Sequence, residues 1–246
     1  MSTAGLGSCI ICEKPDSPRC ARCKSAFYCS KACQLIDWPV HGLLCGPFAT
    51  FNTANRPTKD HFRAIVFLPN KYKPKFRWIY CKWHELEYGY RYQCPEASTL
   101  VGEGCRVEQA ILQSNPVSNR QLDDGITISF RDTFLVDGSA RNKGVLSIIT
   151  TQPGDYHDWR GPITAYGKVG PGSSQTHCRD LDMNDFHHIA DFFLSYGSLP
   201  PGIMSSAQSV AATPELCGMA ILAVLGIAVL LFCYGAIRAI FALFDL

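Results

Sequence analysis

Apolar and polar residues follow three rhythms along the chain, and each predicts a different kind of element. Between 61 and 151 the rhythm is that of strands. HFRAIVFLP (61–69) is apolar and partly β-branched, while KYKPKFRWIYCKW (71–83) sets Lys71, Lys73, Lys75 and Arg77 against Tyr72, Phe76, Trp78 and Tyr80. That is the pattern of a half-buried strand. GITISFRDTFLVDG (125–138) and GVLSIITT (144–151) are rich in strand-favouring residues, and the SARNK between them reads as a turn, so the two are expected to pair as an antiparallel hairpin. In MNDFHHIADFFLSYG (183–197) the period changes: Phe186, Ile189, Ala190, Phe193 and Leu194 recur at helical spacing, with Asp182 or Asn184 as N-cap and Gly197 as stop. Strands followed by a helix predict an α+β domain over 61–196; 94–124 and 152–182 are too irregular to give its topology.

The third rhythm is continuous. LCGMAILAVLGIAVLLFCYGAI (216–237) carries no charged side chain, and at 1.5 Å per residue it would reach roughly 33 Å, enough to cross a hydrocarbon layer of about 30 Å. A buried helix apolar on every face would need more surrounding protein than this chain offers. The expectation is a single C-terminal transmembrane helix, reached through a small, polar, proline-bearing linker at 197–215 and followed by a short tail at 238–246. This arrangement resembles a tail anchor, which would leave residues 1–215 facing the cytosol; nothing in one span says which organelle. Glu215 before the span and Arg238 after it run against the positive-inside tendency, but the cysteine chemistry described next argues for the reducing side.

Charge is uneven beneath a net +2. Residues 51–93 hold nine Lys/Arg against three Asp/Glu, and 94–246 hold nine against fifteen, so the cations of 71–83 invite a phosphate-facing reading. A solvated strand face opposite a buried aromatic one is the simpler account. The chain also has 13 cysteines, while residues 1–8, MSTAGLGS, lack the basic start and apolar core of a secretory signal. Reduced thiols are therefore expected rather than disulfides.

Eight potential ligands lie between 9 and 45: Cys9, Cys12, Cys20, Cys23, Cys29, Cys33, His41 and Cys45, spaced C-x2-C-x7-C-x2-C-x5-C-x3-C-x7-H-x3-C. Thiolates and imidazole suit Zn2+, and residues two to four apart can reach one ion. Eight ligands make two tetrahedral sites. A 37-residue segment buries too little apolar surface to fold by itself, whereas a structural zinc can contribute roughly 10–16 kcal/mol. The spacing leaves open whether the sites are sequential or interleaved. With seven thiolates and two zinc ions, the five Lys/Arg of 9–45 become counter-charges, which argues against nucleic acid as the finger's partner.

Tyr28-Cys29, Cys33-Gln34 and Asp37-Trp38 three residues before His41 complete a pattern that resembles the MYND-type zinc finger. The resemblance implies a cross-brace in which Cys9, Cys12, Cys29 and Cys33 hold one ion while Cys20, Cys23, His41 and Cys45 hold the other. It also implies a protein-interaction module that docks short proline-containing peptides, with Gln34 and Trp38 at the positions that line the groove. An indole offers a flat face to a pre-extended proline segment and an amide can pair with its backbone; Trp38 could equally be packing for a small finger. Residues 46–60, GPFATFNTANRPTKD, read as a linker to the next domain.

Within 61–196 three constellations are candidates for chemistry. Cys81, His84, Cys94 and Cys105 could bind a third zinc but lack a second close pair. His177-Cys178 are adjacent, which does not make them face each other. His157 and Asp158, with His187 and His188, offer imidazoles and carboxylates that a loop could simply hydrogen-bond. MYND fingers accompany SET domains in a family of lysine methyltransferases, yet the cofactor motif of that domain is absent, as are P-loop, dinucleotide-binding and nucleophile-elbow motifs. DYHDWRGPITAYGKVG and DLDMNDF resemble an uncharacterised group of fungal MYND proteins, a likeness that brings no activity with it.

The chain is thus expected to be a small zinc-stabilised cross-brace MYND finger (9–45) after a tail (1–8), followed by an α+β domain of unknown ligand and a membrane helix. Its expected function is that of a membrane-tethered adaptor for a proline-containing partner. The alternatives are an enzyme centred in 61–196 that uses the finger for recruitment, and a nuclear transcriptional co-regulator.

Overall fold

The computed structural model describes residues 6–85, 91–102, 106–115, 117–152, 154, 156–170 and 177–196. The opening segment holds a small hairpin, β1 (Leu6–Gly7) with β2 (Ser17–Pro18), and one long helix, α1 (Lys31–Thr50). Ser30 starts that helix from extended backbone, its hydroxyl accepting from the Cys33 N–H at 3.2 Å. Pro39 and Pro47 lie inside α1; each removes one backbone donor, and both residues are exposed.

The expected linker at 46–60 needs correction, because its first residues are the last turn of α1 and Thr53–Asn55 form a 3-10 turn. Gly46 and Pro47 read as breakers, but packing decides otherwise. The Phe48 and Phe51 rings stand edge-on to Phe76 at 5.5 and 5.6 Å, and Phe51 tilts against Trp78 at 4.9 Å. The contact is sealed by Arg63, whose guanidinium lies 4.4 Å from the Phe48 ring centre while its Nε donates to the Leu181 carbonyl at 2.7 Å.

Seven antiparallel strands form the main sheet: β3 (His61–Phe67), β4 (Lys75–Glu85), β5 (Arg91–Pro95), β6 (Val107–Asn115), β7 (Arg120–Arg131), β8 (Ile163–Lys168) and β9 (Cys178–Arg179). Their order is β5-β4-β3-β8-β7-β6, with β9 added to β8. β4 pairs with β3 over Lys75–Tyr80 and with β5 over Cys81–Glu85. Its aromatic side is covered only in part: Phe76 is buried and Trp78 lies half-buried under Phe51 and Arg56, whereas Tyr72 and Tyr80 are exposed, as are Arg77 and Lys82. A one-turn helix, α2 (Ser98–Val101), covers part of one sheet face, where Ala64, Ile79, Cys81, Val107 and Tyr166 are buried.

The hairpin expected from 125–138 and 144–151 does not form. β7 pairs with β6 and β8 instead, and residues 143–149 are a helix, α3 (Lys143–Ile149). The buried Asn142 explains the switch. Its Oδ1 caps the Val145 N–H at 3.0 Å, and its Nδ2 donates to the Phe67 carbonyl at 3.0 Å and the Gly161 carbonyl at 2.6 Å. So fixed, Val145, Ile148 and Ile149 meet the core at helical spacing, overriding their β preference.

The last described helix, α4 (Met183–Ser195), follows its sequence pattern. Asp182, not Asn184, is the N-cap, in a reciprocal box with Asp185. Phe186, Ile189, Ala190 and Phe193 are buried. They join one core that also takes in Ile10, Tyr28, Leu44 and Cys45 from the opening segment, Ile65, Ile126 and Ile163 from the sheet, and Ile148 from α3. Segments expected as separate modules therefore share a single interior. Gly197 and the predicted span at 216–237 lie outside the described residues; among those described, no helix is long and apolar enough to cross a membrane.

Candidate metal centre

Two tight turns, one helix and the residue just before that helix's cap carry all eight ligands. Cys9 and Cys12 sit on a turn closed by Cys9 N–H to the Lys14 carbonyl and Glu13 N–H to the Cys9 carbonyl; Cys20 and Cys23 sit on its counterpart, closed by Lys24 N–H to the Cys20 carbonyl. Glu13 and Lys24 each follow the second cysteine with a left-handed backbone, φ 61° and 58°. This conformation turns both thiols of a pair toward the same point at some steric cost for a non-glycine residue. Cys29 precedes the Ser30 cap, Cys33 is in the first turn of α1, and His41 and Cys45 stand one turn apart farther along it.

The ligand atoms gather into two groups, Cys9 with Cys12, Cys29 and Cys33, and Cys20 with Cys23, His41 and Cys45, each group within 4.8 Å. The arrangement is interleaved, not sequential. In the first group Cys12 and Cys29 sulfurs are 3.4 Å apart, Cys29 and Cys33 3.5 Å, and Cys12 and Cys33 3.8 Å; in the second, Cys20 to Cys45 is 3.9 Å and Cys23 Sγ to His41 Nε2 is 3.9 Å. A tetrahedron with zinc–sulfur bonds of about 2.3 Å has edges of about 3.8 Å, whereas a disulfide would need about 2 Å. Both groups are consistent with Zn2+.

The electrostatics of the thiols are compatible with a bound cation. Cys29 is pushed up to about 12 by the neighbouring Cys12 and Cys33 thiols, and Cys45 to about 12 by burial and by Cys23 and Cys20. Burial also acts to raise Cys9, but backbone hydrogen bonds from Cys29, Cys12 and Ile11 outweigh it and bring that thiol down to about 6. Crowded thiols cannot all ionise around an empty centre; a divalent cation reverses the balance. Burial lowers His41 despite the opposing Asp37 carboxylate, favouring the neutral imidazole that a metal requires.

The surrounding shell includes residues whose role the ligand ladder does not announce. Gln34 donates from Nε2 to Cys20 Sγ at 3.5 Å. Asp37, 6% exposed, accepts from the Tyr28 hydroxyl at 2.5 Å and stands 4.0 Å from His41 Nδ1. Its position one turn before His41 was a readable signal. Trp38 is 47% exposed, its ring beside Gly42 and 5.9 Å from the His41 ring. Thus Gln34 supports a ligand as well as facing the helix surface, and Trp38 partly packs and partly projects.

The other candidates disperse. Among the described residues no third ligand group exists; Cys81 is buried, His84 stacks on Tyr92 at 5.3 Å, Cys94 is half-buried opposite Lys82, and Cys105 lies outside the described residues. His177 packs on Trp83, while the Cys178 N–H donates to Gln93 Oε1 at 2.9 Å. His157 is held between Phe134, Trp159 and Tyr196, and Asp158 pairs with Arg141 and Arg160. His187 instead meets Asp37 of the finger, and His188 meets Asn115.

Comparison with known proteins agrees with the ligand geometry: the MYND finger family matches residues 9–45. Human N-lysine methyltransferase SMYD2 is 42% identical over 70 residues, 27% of this chain and 16% of the relative. The Drosophila melanogaster zinc finger MYND domain-containing protein 10 homolog is 47% identical over 38 residues, 15% of this chain and 8% of the relative. Rice ubiquitin C-terminal hydrolase 15 is 36% identical over 70 residues, 27% of this chain and 7% of the relative. The chain thus spans less than a fifth of the length of these curated relatives. No solved structure matches it significantly. Residues 9–45 are a MYND zinc finger, a type of module that typically binds other proteins.

Proposed function

We propose that the chain is a zinc-stabilised adaptor that docks a short proline-containing segment of a partner protein on the outer face of α1 and is tethered to a membrane by residues 216–237, with 1–215 facing the cytosol. The carrying observation is Trp38. Its indole remains 47% exposed on a helix clamped by ligands from both metal groups, and Leu35, one turn earlier, is 60% exposed. A rigid aromatic platform suits an extended proline segment, because neither side loses much conformational freedom on contact. Gln34 commits one of its two amide N–H groups to Cys20, and its Oε1 is able to accept from a peptide N–H.

The relatives fit a recruiting role. A lysine methyltransferase and a ubiquitin hydrolase share this sequence segment, and two unlike activities point to a shared means of engaging proteins rather than to shared chemistry. The membrane tether rests on the uncharged run at 216–237. Confinement to a surface would make a weak peptide contact effective where other contacts act beside it.

The test is binding of short peptides with a central proline to the zinc-loaded chain and to Trp38→Ala. Loss of binding with zinc still at two equivalents supports the docking role. Retained binding moves the partner to another surface, and loss of zinc would make Trp38 a structural residue.

A further inference from the structure

A neutral imidazole that gives Nε2 to a metal carries its proton on Nδ1, and that proton needs an acceptor. In the second ligand group His41 Nε2 faces Cys23, while His41 Nδ1 is buried without a hydrogen-bond partner. Asp37 Oδ2 stands 4.0 Å from it. The same carboxylate is held from two directions: Oδ2 accepts from Tyr28 within the finger, and Oδ1 meets His187 Nδ1 of α4 at 3.1 Å. His187 is backed by Asp191, 3.5 Å from its Nε2, and Asp191 accepts from Asn115 of β6 at 2.6 Å. A polar chain therefore runs from an edge strand of the sheet through α4 to a metal ligand of the finger.

We propose that His187 is a positioning residue for the second metal group: by holding Asp37 it keeps the carboxylate beside His41 Nδ1, 4.0 Å away and free to close on its proton, so that metal retention by Cys20, Cys23, His41 and Cys45 depends on the seating of α4. The inference rests on the two-metal reading of the finger and is independent of peptide docking. Asp37 is the only described finger residue that touches both Tyr28 and His187 through hydrogen bonds while facing a ligand. Since linkage is reciprocal, metal bound at this group should also steady the first turns of α4. The first group, Cys9, Cys12, Cys29 and Cys33, has no His ligand to orient and serves as an internal control.

The experiment uses the full chain loaded with Co2+, whose absorption separates a four-sulfur site from a three-sulfur, one-nitrogen site, under competition with a chelator. His187→Leu should weaken retention at the mixed site about tenfold, the lower end of what outer-shell partners contribute, and leave the four-sulfur site unchanged. His187→Gln, which keeps an N–H toward Asp37, should recover most of that loss and so separates the hydrogen bond from any packing effect of leucine. Unchanged retention in His187→Leu, equal weakening of both sites, or a glutamine variant as weak as leucine would each overturn the proposal.

Discussion

Replacing Arg63 by methionine tests whether the finger helix is bonded to the sheet or merely rests on it. Arg63 is 9% exposed, and its guanidinium lies 4.4 Å from the Phe48 ring and 5.6 Å from those of Phe51 and Phe76. The charged hydrogen bond from Nε to the Leu181 carbonyl contributes about 1.5–3 kcal/mol, and a desolvated cation over aromatic faces about 1–2 kcal/mol. Against these stands the cost of burying the cation, visible as a lowered pKa whose largest cause is desolvation. Methionine keeps the apolar stem and removes that cost, so the net loss should be about 2 kcal/mol. The informative quantity is the cycle with Phe48→Leu, for which a coupling of about 1 kcal/mol is expected. Urea unfolding of all four proteins at one fixed zinc activity gives it, because metal linkage then cancels. A coupling within about 0.3 kcal/mol of zero would show that Arg63 acts only through the Leu181 carbonyl and that α1 is not bonded to the sheet through its aromatic end.

Two further outcomes are expected. Asn142→Ala should cost about 3 kcal/mol in the same urea assay, since it removes a helix cap and leaves the Phe67 and Gly161 carbonyls without their side-chain donor; a loss under 1 kcal/mol would mean that α3 does not depend on it. His188 is lowered to about 4, chiefly by burial and then by His187, with Arg120 and Arg179 adding to the effect, Asp185 opposing it, and the Asn115 amide 3.0 Å from Nδ1. Below about pH 6.5 the unfolded chain then takes a proton that the fold refuses, so stability should fall as pH drops from about 6.5 toward 4, by at most about 1.4 kcal/mol per unit. The zinc-loaded His188→Gln variant should show a shallower slope; equal slopes would place the acid sensitivity elsewhere.

What could be read from the sequence tracks how local the cause is. Metal ligation imposes short spacings, so all eight ligands of 9–45 stand out, although the interleaving is a matter of three dimensions and came only from resemblance. The amphipathic period of α4 was equally plain, because one face of a helix is written in one stretch of chain. Val145 to Ile149 misled for the opposite reason. Their β-branched character is local, while the Asn142 hydrogen bonds that set a helix reach Phe67 and Gly161, 75 and 19 residues away. The same holds for Gly46 and Pro47, local breakers overruled by Phe48 and Phe51 meeting Phe76 across the sheet. Asp37 and His187, 150 positions apart, could each be noticed separately but not as partners.

These distant contacts change what the finger can be taken to be. α1 carries Cys33 of one metal group and His41 and Cys45 of the other, gives Asp37 to α4, and ends with Phe48 against β4. The same helix projects Trp38 and Leu35 outward. Its orientation is therefore fixed at four places, and only two of them are metal groups. A zinc finger standing alone would hold α1 by its ligands while leaving Phe48 and Phe51 without their partners and Asp37 without His187, so apolar rings would meet water and the carboxylate would keep only Tyr28 as donor. It follows that the platform presented by Trp38 belongs to the finger and the sheet together, and that a change in the sheet can reach it through α1 without touching a ligand.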